Sequence, residues 1–199
     1  MQLYYSQTSP FARKVTMLLH YTGLIDQCEL VLTTFTSEEL RQKNPLGKIP
    51  ALVKDDLVLT ESDLINEYLD DFWALEGNLS LLNRGSRFYY LERKAAAQAN
   101  GVLEAAVQSM FESKRETEQS GHWLARWKEA MQKGLTELDV KYCGKIKKIN
   151  MTSFTVAATL GYLDFRHPQL NWREWNSELA NWFDEISQQA WFIQTKPPC

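Results

Sequence analysis

The spacing of apolar and polar residues differs between the two halves of this 199-residue chain. Over the first 74 residues the apolar period changes repeatedly, whereas from about residue 86 onward apolar residues recur with helical spacing. Strands alternate apolar and polar positions, and helices repeat apolar positions every three to four residues. The pattern therefore predicts a mixed α/β region followed by an all-helical region.

A strand, a helix and a second strand are predicted to open the mixed region. The segment MQLYY (1–5) forms the first strand. A helical apolar face that includes Val15 continues to a stop at Gly23, a residue favoured just after a helix end. The segment CELVLTT (28–34) forms the second strand.

A short helix, a hairpin and a longer helix are predicted to follow. Thr36 and Glu39 form a capping box for the short helix. Two apolar runs flank the turn-prone pair Asp55-Asp56, which predicts a β-hairpin. Five apolar residues then mark one face of the longer helix: Leu64, Ile65, Tyr68, Leu69 and Phe72.

A segment rich in glycine, asparagine and serine separates the two regions. Residues 77–86 are predicted to link a domain at 1–76 to a helical domain at 87–199. Four helices are predicted in the second domain, at 87–115, 120–143, 150–166 and 177–190. Four tryptophans at helical spacing are predicted to contribute to its core: Trp123, Trp127, Trp175 and Trp182.

Composition restricts the class of protein. Hydrophobic residues make up 44% of the chain and charged residues 24%, as in globular proteins. A net charge of -3 gives no general attraction to nucleic acid or anionic lipid. No signal peptide or membrane-length apolar run is found, and Cys28, Cys143 and Cys199 lack CxxC or metal-ligand spacing. We expect a cytoplasmic protein with reduced thiols and without a metal site, a nucleic-acid partner or a membrane partner.

Three short segments are candidates for chemistry, and the first contains Ser9 and Pro10. Serine is a favoured N-cap and proline suits the first helical position, so this step is sufficient as a helix start. A hydroxyl at a helix N-terminus can also donate a hydrogen bond to an anion, assisted by free N–H groups and the helix dipole. Ser9 is therefore a candidate for capping and for holding a reacting thiolate.

The second segment, NPLGKIPALV (44–53), places Pro50 directly before an apolar strand. One interpretation is an ordinary trans proline at the first residue of a strand, where its missing N–H is tolerated. The other is a cis Ile49-Pro50 bond, which turns the backbone N–H and C=O of Ile49 outward toward a peptide-like ligand. The residues alone leave both interpretations open.

The third segment, LTESDLINEYL (59–69), places Glu61 and Ser62 between a strand and a helix. As helix-start residues, Ser62 is a cap and Glu61 a favourable charge near the N-terminus. As ligand contacts, the Ser62 hydroxyl and nearby N–H groups bind a carboxylate, and Glu61 binds an ammonium group. In that interpretation the pair recognises the backbone of an amino acid.

The segments SPFARKV, NPLGKIPALV and TESDLINEYL, in this order before an all-helical half, resemble the glutathione transferase superfamily. The resemblance extends over the full chain, and GYLDFR (161–166) with the TKPP ending resembles a bacterial serine-type branch. It implies a thioredoxin-like N-terminal domain that binds glutathione and an all-α C-terminal domain that shapes the electrophile pocket. It also implies a homodimer.

The resemblance assigns the thiol contact to the first segment. Ser9 corresponds to the hydroxyl that hydrogen-bonds the glutathione thiolate, and Phe11 lies beside it. Tyr5, at the end of the first strand, matches the tyrosine that other branches use and is the second candidate. The segment SQTSP contains no cysteine, so disulfide reduction ranks below conjugation and glutathione-dependent peroxide reduction.

The resemblance assigns the rest of glutathione to the other two segments. Lys48 corresponds to a residue that approaches the glycine carboxylate. Ile49 corresponds to the residue whose backbone pairs with the cysteinyl unit, and Pro50 to a cis-proline. Glu61 and Ser62 correspond to the contacts of the γ-glutamyl unit.

Two positions depart from the pattern of the family. Asp63 adds a negative charge beside the γ-glutamyl contacts and would weaken carboxylate binding if it faced inward. At the helix start in NMTSFTVAATLGYL (150–163), Asn150 is the expected cap, and Ser153 stands where aspartate is usual. A serine there can still accept a local hydrogen bond but carries no charge.

The resemblance implies that glutathione sulfur attacks a small hydrophobic electrophile, with glutathione as cosubstrate and no tightly bound cofactor. Met110, Phe111 and the aromatic C-terminal segment are candidate electrophile contacts. The alternative is a non-enzymatic protein of the same fold, resembling stringent starvation protein A, which binds RNA polymerase and lacks glutathione chemistry. A thioredoxin-like redox protein is disfavoured because the chain has no CxxC motif.

Overall fold

The computed structural model describes residues 1–198, which divide into two compact units. The first unit consists of residues 1–83 and the C-terminal segment that begins at Gln188. The second unit consists of residues 84–187. The change from the first unit to the second therefore falls within the predicted linker, where the chain forms turns and irregular structure.

The first unit contains a four-stranded mixed sheet with the spatial order β2-β1-β3-β4. Strand β1 pairs in parallel with β2 and antiparallel with β3, and β4 pairs antiparallel with β3. Leu3 lies opposite Leu52 in this register, and both are almost completely buried. The strands are β1 (Gln2–Tyr5), β2 (Glu29–Leu32), β3 (Ala51–Lys54) and β4 (Leu57–Thr60).

Three helices accompany these strands: α1 (Pro10–Thr22), α2 (Glu38–Lys43) and α3 (Ser62–Leu75). Helix α1 stops at Gly23, whose left-handed φ of 75° glycine adopts without steric cost. The hairpin between β3 and β4 turns through Asp55 and Asp56, directly after the pair Lys54↔Leu57. The predicted order of strands and helices in the mixed region is confirmed.

The capping box predicted for α2 is wrong by one residue. Ser37 is the N-cap, and its Oγ accepts the Leu40 N–H at 3.3 Å. The Glu39 side chain instead accepts the Tyr4 hydroxyl at 2.7 Å. This bond to a carboxylate raises the pKa of the buried Tyr4, and burial adds to the effect. A tertiary partner on β1 has therefore replaced the local contact that the sequence spacing favoured.

The second unit contains four longer helices: α4 (Tyr89–Ser113), α5 (Gly121–Thr136), α6 (Met151–Arg166) and α7 (Ser177–Ile186). The predicted helix at 120–143 is too long. After α5 ends, the Asp139 side chain accepts the Lys141 N–H at 3.0 Å and begins a separate 3-10 turn at Val140–Tyr142. A side-chain cap inside a segment with helical periodicity thus marks a new start.

Helix α4 packs against α5 and α6. Gly134 of α5 approaches α4 so closely that an added Cβ would overlap the Val102 side chain. The Gln98 side chain donates to the Gly134 carbonyl at 2.7 Å, and the Thr159 hydroxyl of α6 donates to the Ala99 carbonyl at 3.2 Å. Small residues and paired polar groups therefore allow these helices to pack closely.

The tryptophans of the second unit are not all in its core. Trp182 is buried and donates to the Gly144 carbonyl at 2.9 Å. Trp123 is 48% exposed and stacks on Trp127 with ring centroids 5.7 Å apart. The core placement predicted for Trp123 is wrong, because the buried side chains of α5, Met131 and Leu135, lie in its second half.

The end of the chain differs from the predicted 87–199 helical domain. A short helix, α8 (Ala190–Ile193), belongs to the first unit and packs on α1. The Arg13 guanidinium lies 4.1 Å from the Phe192 ring centroid and donates to the Phe192 carbonyl at 3.2 Å. Burial lowers the pKa of Arg13 to about 10, so this side chain remains a cation at neutral pH. Periodicity identifies a helix but not the partner it packs on.

The predicted fold class is confirmed by a mixed α/β first unit and an all-helical second unit. Within residues 1–198, none of the helices has the length and apolar character needed to cross a membrane.

Candidate functional site

Ser9 caps α1, as the sequence predicts. Its Oγ accepts the Ala12 N–H at 3.2 Å, and its backbone is extended, with φ -78° and ψ 118°. A hydroxyl can accept at oxygen and donate its hydrogen at the same time. Ser9 can therefore cap the helix and donate to an anion bound at the helix N-terminus.

The other two residues predicted near the thiol are half-buried. Tyr5 ends β1, where its carbonyl accepts the Thr33 N–H at 2.9 Å, and Phe11 lies in the first turn of α1. The preceding Tyr4 is buried and hydrogen-bonded to Glu39. Tyr5 therefore remains the second candidate for a thiol contact.

The loop that carries Lys48 and Ile49 is organised by the buried side chain of Asn44. The Asn44 amide donates to the Lys48 carbonyl at 2.9 Å and accepts the Leu46 N–H at 3.1 Å.

The Ile49-Pro50 bond is cis, the second of the two interpretations above. The Ile49 side chain packs on the buried cluster of Tyr4, Leu40 and Ala51. The pairing of β3 with β1 ends at Ala51, so the backbone of Ile49 lies beyond the sheet ladder.

Helix α3 begins without a side-chain cap. Glu61 is the N-cap residue and has φ 70° and ψ 119°, a conformation that residues with a Cβ rarely adopt. Ser62 is the first helical residue, so its predicted role as the cap is wrong. The first N–H groups of a helix have no intrahelical partner, and here the side chain of the N-cap residue does not bind them.

Two ion pairs surround the start of α3. The Lys48 ammonium lies 3.8 Å from the Glu61 carboxylate, and both side chains are about two-thirds exposed. Such an exposed pair contributes little stability and leaves both charges accessible to a ligand. The Lys14 ammonium lies 2.6 Å from Asp63 and is 1% exposed, whereas Asp63 is 38% exposed. The charge of Asp63 is therefore compensated by a cation on α1.

Neither described cysteine has the character of a reactive thiol. Burial raises the pKa of Cys28 to about 11 and that of Cys143 to about 12. The thiolate is the nucleophilic form, so both side chains are inert at neutral pH. Cys199 lies outside the described residues. Within the described part of the chain, no three His, Cys, Asp or Glu side chains are grouped as metal ligands.

The structure places all of the residues predicted to contact glutathione in the first unit, and the candidate electrophile contacts Met110 and Phe111 in the second. Two residues with contacts in the first unit were missed: Asn44, which orders the Lys48 loop, and Lys14, which pairs with Asp63. The residue before a proline avoids helical angles, so Asn44 before Pro45 indicates a helix end, but nothing in the sequence indicates a buried amide there. Nothing in the spacing of Lys14 distinguishes it from an exposed lysine.

A family described as "Glutathione S-transferase, N-terminal domain" matches residues 8–71. A crystal structure of a glutathione transferase family member from Pseudomonas fluorescens Pf-5, with bound glutathione, is 33% identical and has a TM-score of 0.92. The match covers 100% of this chain and 99% of that chain.

Two curated proteins extend the comparison. The GST-like protein YibF of Escherichia coli K12 is 29% identical over 203 residues, which cover 100% of this chain and 99% of that protein. The stringent starvation protein A homolog of Pasteurella multocida is 38% identical over 71 residues, covering 36% of this chain and 34% of that protein. The first similarity therefore extends over both units, whereas the second is confined to about a third of the chain.

Proposed function

We propose that this chain, which belongs to the glutathione transferase superfamily, binds reduced glutathione and activates its thiol for attack on a small electrophile. The observation that carries the proposal is the set of groups in the first unit. Ser9 caps one helix, the uncapped start of α3 holds Glu61 and Ser62, and Lys48 lies 3.8 Å from Glu61. Together these groups offer hydrogen-bond donors and charges suited to a zwitterionic peptide thiol.

Each part of the tripeptide has a complementary group. We assign the γ-glutamyl carboxylate to Ser62 and the first N–H groups of α3, and the γ-glutamyl ammonium to the Glu61 carboxylate. The backbone of Ile49, beyond the end of the ladder, takes the cysteinyl unit in the manner of strand addition. Lys48 takes the glycine carboxylate, and its exposure of about two-thirds leaves it free to move to that position.

The chemistry follows from the position of Ser9. Its oxygen accepts the Ala12 N–H, and its hydrogen is donated to the glutathione sulfur, which lowers the pKa of that thiol together with the helix dipole. The thiolate attacks an electrophilic carbon, forming a C–S bond as a leaving group departs. Alternatively it attacks a peroxide oxygen, which forms an S–O bond and breaks the O–O bond to give a sulfenic acid and an alcohol; a second glutathione then converts the sulfenic acid to the disulfide and water. A shift of one pKa unit corresponds to about 1.4 kcal/mol of preferential thiolate stabilisation. One hydroxyl hydrogen bond can supply that amount.

The second substrate is proposed to contact the second unit. Helix α4 carries Met110 and the half-exposed Phe111 near its C-terminal end, and both are suited to a small hydrophobic molecule. This contact, the homodimer, the cytoplasmic location and the choice between conjugation and peroxide reduction remain predictions.

The test is calorimetric titration of reduced glutathione into wild type and Ser9→Ala, with the bound thiolate followed by ultraviolet absorbance across pH. We expect both proteins to bind and the thiol pKa to rise by about one unit in Ser9→Ala. Ser120→Ala is the matched control, because the Ser120 Oγ caps α5 through the Trp123 N–H at 3.3 Å. Both substitutions should lower the free energy of unfolding by about 1 kcal/mol. The control should leave the thiol pKa unchanged.

Two outcomes would contradict this assignment. An unchanged thiol pKa in Ser9→Ala, with an increase in Tyr5→Phe, would transfer the thiol contact to Tyr5. Absence of glutathione binding by folded wild type would reject the transferase and favour the non-enzymatic interaction protein.

A further inference from the structure

The pair formed by Lys14 and Asp63 joins the helices that carry the two ends of the proposed glutathione site. Lys14 lies in α1, five residues after Ser9, and Asp63 lies in α3, directly after Ser62. The Lys14 Nζ is 2.6 Å from Asp63 Oδ1, and the Lys14 side chain is 1% exposed. Lys14 is therefore an almost completely buried ammonium group in contact with the first turn of α3.

A buried ammonium group is an expensive way to join two helices. Its transfer from water carries a large desolvation penalty even after relaxation, and an apolar pair of similar volume often stabilises a protein more. Helix packing alone therefore does not require Lys14. The choice of a charged pair at this position needs a reason other than stability.

The geometry of the neighbouring residue supplies that reason. Glu61, two residues before Asp63, has a φ of 70° and no side-chain cap stabilises the helix start. Backbone conformations of this kind persist only when the surrounding structure holds them in place. The bond from Lys14 to Asp63 restrains the first turn of α3 directly beside this residue.

The charge of the pair has a second consequence. A lone carboxylate beside Ser62 would repel the carboxylate of a bound γ-glutamyl group. Lys14 compensates this charge with an ammonium group that is itself only 1% exposed. The position of the Lys14–Asp63 pair and its charge therefore both favour a role in binding the γ-glutamyl unit.

We propose that Lys14 and Asp63 are positioning residues for the γ-glutamyl end of glutathione, which hold Glu61 and Ser62 in their binding geometry and neutralise the Asp63 charge. The inference rests on the proposed function. Its effect should be confined to the γ-glutamyl unit, because the groups assigned to the cysteinyl and glycine units lie on the Lys48 loop.

The experiment compares calorimetric affinities for glutathione and for cysteinylglycine, which lacks the γ-glutamyl unit. The variant Lys14→Met/Asp63→Asn removes both charges. We expect its affinity for glutathione to fall about tenfold or more, the effect of losing one hydrogen bond to a charged group. Its affinity for cysteinylglycine should match that of wild type.

Two further variants make the result specific. In Lys14→Met, the Asp63 carboxylate loses the Lys14 ammonium and should reduce glutathione affinity more than the double substitution does. The Asp63 side chain is 38% exposed, so water can solvate its charge, and this variant tests the proposal if the double variant does not fold. The control Glu129→Gln/Lys133→Met removes an exposed pair with the same 2.6 Å separation in α5. The control should bind both ligands as wild type does.

The outcomes separate this inference from the proposed function. Wild-type glutathione affinity in a folded variant lacking the pair would overturn the inference, and so would an equal loss for both ligands, which indicates a general structural role. Failure of wild type to bind glutathione would instead reject the proposed function.

Discussion

Helices α3 and α6 begin in opposite ways. At α6, the Asn150 side chain accepts the Ser153 N–H at 3.1 Å, and Ser153 Oγ accepts the Asn150 N–H at 3.2 Å. Ser153 is completely buried and also donates to the Cys143 carbonyl at 2.7 Å. At α3, Glu61 provides no side-chain cap and adopts a positive φ.

The comparison shows that a helix N-terminus can either stabilise the fold or provide groups for a ligand. The polar groups at the start of α6 bind one another, so that helix start stabilises the second unit and offers nothing to a ligand. The start of α3 leaves backbone donors without a side-chain cap and includes a strained residue, features that cluster at binding sites. A helix start without a side-chain cap is therefore a candidate binding site when its N-cap residue is charged and exposed.

The largest effect is expected from breaking the enclosed start of α6. Gly144 has φ 79°, and an added Cβ would overlap the Ser153 hydroxyl. Gly144→Ala should lower the free energy of unfolding by about 2–5 kcal/mol, from the positive φ and from overpacking. Urea unfolding measures the change.

The control for this substitution is Gly121→Ala, since an added Cβ at Gly121, the first residue of α5, meets nothing within 4 Å. That variant should change the unfolding free energy by no more than about 1 kcal/mol. Equal effects at both glycines would show that the contact with Ser153 is unimportant.

An intermediate effect is expected from two buried asparagines of the first unit. The side-chain nitrogen and oxygen of Asn66, in α3, have no hydrogen-bond partner. The side-chain nitrogen and oxygen of Asn44 are both hydrogen-bonded. Asn66→Leu should raise the free energy of unfolding by about 1–2 kcal/mol, because it removes unpaired buried polar groups. Asn44→Leu should lower it by about 2–3 kcal/mol, because it leaves the Lys48 carbonyl and the Leu46 N–H unpaired. A loss of stability of similar size in both variants would contradict the difference between them.

The smallest change in stability is expected at Glu61. Glu61→Gly removes the Cβ from a residue with φ 70° and should raise the free energy of unfolding by about 1 kcal/mol. Glu61→Gln keeps the Cβ and should stay within about 0.5 kcal/mol of wild type. Both variants lose the carboxylate, so both should bind glutathione about tenfold more weakly. Thermal unfolding measures the change in stability, and calorimetry measures the change in affinity for glutathione. Equal stability of the two variants would contradict the strain at Glu61.

The features that could be predicted from the sequence depend on residues close to one another along the chain. Ser9 caps the N–H three residues later, Gly23 ends α1, and Asp55 with Asp56 turns the hairpin. Asn150 and Ser153 form their reciprocal cap within one helical turn. Periodicity and capping act over this distance, which is why the order of elements and the three candidate segments could be identified.

The features that could not be predicted join residues far apart along the chain. Glu39 binds Tyr4 across 35 positions, Lys14 binds Asp63 across 49, and Arg13 binds the carbonyl of Phe192 across 179. The spacing favoured a local cap for Glu39 and a terminal segment in the helical domain, and it gave no indication of a partner for Lys14. Which partner a charged or aromatic side chain selects depends on the surfaces that burial brings together.

The order of residues along the chain was enough to predict the mixed and helical halves, the positions of most turns and caps, and the three candidate segments. The packed fold was needed to show that Lys14 is buried against Asp63, that Asn44 orders the loop of Lys48, and that α3 starts on a positive φ. Local propensities involve a few neighbouring residues and can be read along the chain. Desolvation and ion pairing depend on the completed packing, because the energy of a charge is set by everything that surrounds it.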